Sequence, residues 1–302
     1  MGRQVTGLEG TITSWGSGAS DWHNHLIATG TAPTNVTVNV EGPEMDTTSI
    51  GGPNSNRTYR NMLASWTVTG ESLWPRANAY VGAQGLVTYA SGYTQHVRGW
   101  SLNMAWDALD VTEFNASGIL WRSFRPSFRG KFTGSFRGLV DDAAALTLVT
   151  PWTNTSAKAM TLKLSEDTPN TDNSFTIADA IITRAGIGMP IQAGGLDTLD
   201  YNFTVSGALT CLSSSGDGSS TYGINVLPGS TSGVALTMPT YDNGTNGVPN
   251  KTMLIKLADS SSDVSLSGTA FLTSVNITCD VDQPIRVSWT AQGTGVLTPA
   301  YA

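Results

Sequence analysis

Residues Arg98–Leu139 read RGWSLNMAWDALDVTEFNASGILWRSFRPSFRGKFTGSFRGL, and their spacing decides the fold. Trp100, Leu102, Met104 and Trp106 stand two apart, as do Phe132, Gly134 and Phe136. A period of two sends alternate side chains to opposite faces, so each run predicts a strand with one buried side. Between the runs lie Asp110-Val111-Thr112, a Gly/Ser turn and the aromatic–basic segment Trp121-Arg122-Ser123-Phe124. Trp100, Trp106, Phe132 and Phe136, with Trp66 from an earlier strand, are expected in the core rather than on a ligand platform.

The rest of the chain has the same character. Charged residues make up 13% of its 302 residues, Gly numbers 33, and Ser and Thr abound. Many β-branched residues with little helical periodicity predict an all-β protein. The length accommodates one large domain or two of ordinary size. A net charge of −7 argues against a general nucleic-acid binder, which needs clustered Lys and Arg to displace counterions. It does not exclude a protein that DNA slides past. Cys211 and Cys279 are far apart and suggest no disulfide framework, so both are expected as reduced thiols. No apolar run approaches a membrane span, and the first residues lack the apolar centre of a signal peptide. Several Asn-x-Ser/Thr triplets occur, as a Thr-rich chain produces by chance.

Strands are expected at 10–15, 36–40, 65–70, 161–164, 175–184, 200–209, 234–239, 253–257, 271–279 and 285–296. Asp141-Asp142-Ala143-Ala144-Ala145-Leu146 predicts a short helix, with acids at its start and good helix formers behind them. Residues 75–97 read as a connector, and Cys211–Tyr222 as a Ser/Gly linker.

Two pairs of blocks recur. Asp46-Thr47-Thr48 aligns with Asp110-Val111-Thr112, Tyr59-Arg60 with Trp121-Arg122, and Thr67-Val68-Thr69-Gly70 with Lys131-Phe132-Thr133-Gly134. Twenty-two residues separate Thr48 from Gly70, and again Thr112 from Gly134. Ile182-Thr183 aligns with Leu272-Thr273, and Gly207-Ala208-Leu209-Thr210 with Gly295-Val296-Leu297-Thr298. The order first, first, second, second is that of nesting. One unit occupies 86–211, and it is inserted into another made of 1–85 plus 212–302. Insertion at an exposed loop is tolerated because domain termini lie close together. The competing explanation is chance likeness between Thr-rich hairpins.

These blocks resemble the major tail tube proteins of long-tailed, siphovirus-like bacteriophages. In that family a strand leads into an Asp-x-Thr step and an aromatic–Arg/Glu segment. A strand of the F-x-G-S/T-F kind, a short Asp/Ala helix and a closing hairpin follow. Here the matching residues are Asp110-Val111-Thr112, Trp121-Arg122-Ser123-Phe124, Phe132-Thr133-Gly134-Ser135-Phe136, Asp141-Asp142-Ala143 and Val205-Ser206-Gly207-Ala208-Leu209-Thr210. The split unit supplies Phe271-Leu272-Thr273-Ser274, Asp280-Val281-Asp282 and Gln292-Gly293-Thr294-Gly295-Val296-Leu297-Thr298.

The resemblance implies two tail-tube-type β-sandwich or barrel units in one chain, each with a short helix and each giving strands to a barrel shared between subunits. The usual subunit is one unit and six form a ring. Two units per chain therefore imply a homotrimeric, pseudo-sixfold ring, stacked into a tube. Further implied are a place in the virion tail after assembly in the host bacterial cytoplasm, and tape measure, tail terminator and baseplate proteins as partners. Double-stranded DNA would pass without tight binding, with no membrane partner, cofactor or catalysis. Alternatives are a ring-forming tail terminator or distal tail protein, and a secreted β-sandwich adhesin or carbohydrate-binding module.

On this reading the acids at the hairpins become candidates for the lumen or its rim: Glu41, Glu44, Asp46, Asp107, Asp110, Asp197, Asp200, Asp280 and Asp282. Each has a plainer reading as a turn residue, and Asp46 and Asp110 as acceptors of local backbone hydrogen bonds. Arg122, Arg125, Arg129 and Arg137 cluster around the second strand of the opening stretch, where pairing between subunits or between rings is expected over phosphate binding. His23 and His25 stand without a third ligand nearby, so no metal site is expected. No nucleophile elbow, P-loop or zinc-hydrolase signature is present.

Overall fold

The computed structural model describes residues 11–15, 35–46, 57, 59–61, 63–73, 86–89, 93–113, 121–139, 157–163, 174–188, 198–206, 209–212, 235–236, 251–256, 264–281 and 283–301. These residues are all-β. In chain order the strands are β1 (Thr11–Trp15), β2 (Asn35–Glu41), β3 (Glu44–Asp46), β4 (Tyr59–Asn61), β5 (Ser65–Leu73), β6 (Leu86–Tyr89), β7 (Tyr93–His96), β8 (Gly99–Asp110) and β9 (Phe124–Leu139). They continue as β10 (Lys158–Lys163), β11 (Ser174–Gly188), β12 (Thr198–Val205), β13 (Leu209–Leu212), β14 (Ala235–Leu236), β15 (Lys251–Lys256), β16 (Val264–Asp280) and β17 (Arg286–Tyr301).

Fifteen of them join one antiparallel sheet whose main path runs β2-β5-β17-β16-β8-β9-β12-β11-β10-β6-β7. β15 and β1 branch from β16, β13 and β14 branch from β11, and β3 and β4 pair separately. The path contains one order twice. β2-β5-β17-β16 carries β15 and then β1 beyond β16, and β8-β9-β12-β11 carries β10 and then β6 beyond β11. Matching bulges reinforce the likeness. β11 is bulged at Thr183 and β16 at Thr273, and each threonine donates its hydroxyl to a carbonyl on the facing strand: Asn202 O at 3.2 Å and Thr290 O at 3.1 Å. The two quartets join where Ser274–Asp280 of β16 pairs with Gly99–Ala105 of β8.

Pairing corrects two of the sequence alignments. Thr133 faces Thr204 as Thr67 faces Gln292, and Ser135 faces Asn202 as Thr69 faces Thr290. Thr133 therefore stands where Thr67 does, two residues from the alignment by sequence. A slip of two keeps every side chain on its own face, so a period-two pattern does not register it. Likewise Tyr59-Arg60 corresponds to Phe124-Arg125, not to Trp121-Arg122, because Asp46 faces Tyr59 as Asp110 faces Phe124.

Other expectations also change. The connector 75–97 holds two paired strands, β6 and β7. Phe124, read as part of a segment between the strand runs, begins β9, and Cys211 lies in β13 rather than in a linker. The expected helix at 141–146 lies outside the described residues, as do His23 and His25.

The core is continuous. Trp66, Trp100, Trp106, Phe132 and Phe136 are all buried, with Tyr201, Phe203, Phe271 and Trp289 beside them. One face of the sheet reads across neighbouring strands as Val287, Ile277, Leu102, Gly134, Phe203 and Ile182, and the next row as Cys279, Trp100, Phe136 and Tyr201. The sheet folds over this face. Trp100 on β8 meets Phe175 on β11 edge-on at 6.0 Å and donates to Lys163 O on β10 at 3.0 Å, although β9 and β12 lie between them in the path. Trp66 on β5 covers Gly293 of β17 and Gly268 of β16, and its indole donates to Gly295 O at 3.1 Å. Cys279 is buried in the same core, and desolvation, followed by the Asp280 charge, pushes its thiol up to about 12.

Candidate functional site

The other face of the sheet is polar from end to end. Asn35, Glu71, Ser288, Asn276, Asn103, Thr133 and Thr204 face one another in turn across seven strands. The next row reads Arg286, Thr278, Ser101, Ser135, Asn202 and Arg184. Hydroxyls and amides dominate. Ser101 and Ser135 share a hydrogen bond at 2.8 Å, which joins β8 to β9 on this side. Alternation along each strand puts an apolar residue behind every polar one, so one sequence pattern makes both the core and this surface.

Charges of both signs stand on this face. Glu41, Glu71, Asp200 and Asp280 stand among Lys131, Arg137, Arg184 and Arg286. Arg137 Nη2 lies 2.8 Å from Asp280 Oδ1, and Arg286 Nη1 lies 3.2 Å from Glu71 Oε1. Both pairs are exposed, so each contributes at most about 1 kcal/mol and weakens with salt. Arg137, Arg184, Asp200 and Asp280 border a shallow groove of about 480 Å³ that is open to solvent.

A second polar cluster closes the β8–β9 hairpin. Asp110 Oδ1 accepts from Thr112 N at 3.0 Å and from Thr112 Oγ1 at 2.6 Å, and Arg122 Nη1 lies 3.5 Å from Oδ2. The Thr112 hydroxyl and backbone bonds, with a smaller contribution from Arg122, hold the Asp110 carboxyl below the usual carboxylate range. The same segment is tied to the other quartet. Arg122 N donates to Ala64 O at 2.7 Å, Gly295 N to Arg122 O at 3.0 Å, and Phe124 N to Thr294 Oγ1 at 2.9 Å. Gly295 takes the left-handed φ of 69° that this closure requires.

Thr112→Val removes the hydroxyl bond, which is the largest cause of the shift. The Asp110 pKa is expected to rise toward its ordinary value in an NMR titration of the side-chain carboxyl. The sign follows from linkage: a depressed carboxylate pKa stabilises the fold above the unfolded value, and that contribution is lost as pH falls through the folded one. The variant should therefore lose more stability relative to the parent at neutral pH than in acid, where only the loss of the Ser123 N bond to Thr112 Oγ1 remains.

No family model and no curated protein matches the chain. Among solved structures, it is similar to a chain of the PVC sheath–tube complex in its extended state, an extracellular contractile injection system. The identity is 12% and the TM-score 0.34, covering 41% of this chain and 85% of that one. It is also similar to a chain of the baseplate of the anti-feeding prophage, at 12% identity and a TM-score of 0.36, covering 43% of this chain and 94% of that one. At these values the likeness establishes neither a shared family nor a shared activity.

The acids singled out by sequence fall in several places. Asp200 and Asp280 lie on the polar face beside arginines, and Glu41 lies on the same face at the end of β2. Asp107 is exposed at the β8 bulge, and Asp110 closes its hairpin. Glu44 and Asp46 sit on β3, which pairs with β4 and not with the main sheet. Asp197 and Asp282 lie outside the described residues. Of the four arginines, Arg122 and Arg137 pair within the chain, which corrects the expectation of pairing between subunits or rings for these two. Arg125 is exposed on β9. Sequence reading did not single out Glu71, Lys131, Arg184 or Arg286. For Glu71, Lys131 and Arg286 the signal was parity, since each falls on the Ser/Thr phase of its strand, whereas Arg184 stands two after buried Ile182 and reaches the polar face only through the bulge at Thr183.

Proposed function

We propose that this chain is a structural subunit of a phage-type tail tube. Three copies close into a ring of pseudo-sixfold symmetry, and rings stack into a hollow conduit through which a double-stranded genome passes. The observation that carries the reading is the polar face, a wall of hydroxyls and amides that runs across both strand quartets and on which arginines are paired with carboxylates. Such a wall does not hold DNA. Tight non-specific binding needs cations that displace counterions from phosphates, and here Arg137 and Arg286 are already occupied by carboxylates. Carboxylates that neutralise these arginines, Asp280 from the acids expected from sequence among them, let the duplex slide.

The repeated strand order supports two tube units, 1–85 plus 212–302 and 86–211. The apolar face, folded over by β10 and by the first half of β11, supports the outer wall. Tape measure, terminator and baseplate proteins are the partners of such a subunit, and its place is the virion tail, after assembly in the host bacterial cytoplasm.

Negative-stain microscopy of the purified chain tests the reading. Hollow tubes, or rings that stack as concentration rises, are expected. Isolated rings that never stack point to a terminator or distal tail component, and monomers at high concentration refute the proposal.

A further inference from the structure

Among the sheet edges open in the described residues, which include those of β1, β7 and β14, two correspond to the two sides of the β16–β8 joint. One is the outer edge of β2, which pairs only with β5. The other is the stretch 181–188 of β11 on the side away from β12, since β10 covers β11 only from Ser174 to Ala180. In the repeated strand order these edges are the counterparts of two segments that pair within the chain. β2 stands where β8 stands, and 184–188 stands where Ser274–Thr278 of β16 stands.

We infer that β11 of one copy pairs antiparallel with β2 of the next, in the register that the β16–β8 joint displays. Ser274 faces Ala105 and Thr278 faces Ser101 in that joint. Carried over through the matching bulges at Thr183 and Thr273, the register sets Arg184 opposite Glu41, Ala185 opposite Val40, Gly186 opposite Asn39, Ile187 opposite Val38 and Gly188 opposite Thr37. The inference rests on the reading of the chain as a ring-forming subunit and specifies the contact that closes the ring.

Charge and burial both fit this register. It sets an exposed cation against an exposed carboxylate on the polar face, where opposite charges directly across an antiparallel pair are favourable. On the other face it covers residues that a single copy leaves in water. Val40 is 54% exposed and Ile187 43%, whereas their counterparts Met104 and Ile277 are fully buried. Pairing also satisfies the backbone donors and acceptors along two edges that otherwise template uncontrolled association. The polar rows then run unbroken from one copy to the next. Gly186 leaves room for a side chain, as a Cβ there meets nothing closer than 3.8 Å.

The experiment uses cysteine pairs in the full chain on a Cys211→Ser background, oxidised after ring assembly and read on non-reducing gels. The matched pairs are Asn39→Cys with Gly186→Cys and Val38→Cys with Ile187→Cys, one on each face. The slipped pairs are Asn39→Cys with Arg184→Cys and Val38→Cys with Ala185→Cys. Directly opposed residues fall within disulfide reach, whereas diagonal ones lie about 7–8 Å apart. Covalent multimers up to the ring size are expected from at least one matched pair and from neither slipped pair.

Glu41→Lys and Arg184→Glu should each raise the concentration at which rings form, by about tenfold or more over the closed ring. The double variant should recover assembly. Rings that cross-link only through slipped pairs, or through none, overturn this joint and leave the ring reading standing. A chain that stays monomeric overturns both.

Discussion

Trp66→Ala is expected to destabilise the folded chain by about 3–5 kcal/mol, the range for removing a buried tryptophan from a core that cannot collapse around the gap. The measurement is a denaturant midpoint followed by the fluorescence of the remaining tryptophans. Trp66 is 1% exposed and spans three strands. It starts on β5, lies over Gly293 of β17 and Gly268 of β16, and donates to Gly295 O. The glycines permit this: a Cβ at Gly293 would overlap the indole ring, and one at Gly268 would lie 2.5 Å from it. Alanine therefore leaves a cavity floored by two residues that have no side chain to move into it. It also leaves the carbonyl oxygen of Gly295, the one described glycine of positive φ, without its indole donor. A loss below about 1 kcal/mol would contradict this packing.

Gly134→Ala is expected to cost about 1–3 kcal/mol, through overpacking rather than through any backbone preference. Gly134 stands on the apolar face between Leu102 and Phe203, and a Cβ there would collide with the Phe203 ring and with the Ser101 carbonyl oxygen. The ring cannot retreat freely, because Phe136 packs beside it at 6.4 Å and stacks in turn on Tyr201 at 4.9 Å. Gly186→Ala is the control. Its Cβ meets only Asp200, at 3.8 Å, so a change within about 0.5 kcal/mol is expected. If both substitutions cost the same, then Phe203 does not fill the space over Gly134.

The opening stretch explains what sequence could and could not reveal. The spacing of Trp100, Leu102, Met104 and Trp106 identified a strand and its buried side, because alternation is a local property that the chain carries on its surface. All-β character was legible for the same reason. Strand order was not. β8 finds one partner in β9, close in sequence, and the other in β16, where Asn103 faces Asn276. Nothing local in either segment marks that partnership.

Register was only half legible. Aligning Thr133 with Thr69 instead of Thr67 preserved the face and lost the position, since alternate residues along a strand share a side. Electrostatics suffered in the same way. Asp280 and Arg137 were each singled out, but as a lumen acid and as part of a basic cluster, whereas the fold puts them 2.8 Å apart. The acids of the polar face were legible one by one, but the cations paired with them arrive from strands distant in sequence.

Repetition in the sequence pointed to the most informative feature, and the pairing refines it. The blocks recur because whole strand quartets recur, with a bulge and a threonine hydroxyl bond at the same place in each. In the proposed ring, a subunit built this way carries one joint internally, at β16–β8, and offers the two halves of the next at its edges.

The central claim is that the Ser/Thr/Asn face of this sheet lines a conduit. A cryo-electron microscopy reconstruction of the assembled particle tests it most directly. The account predicts a hollow ring whose inner wall carries Ser101, Asn103, Ser135 and Asn276, with Trp100, Phe136 and Tyr201 behind it. A particle with that face turned to the outside, or with no central channel, would contradict it.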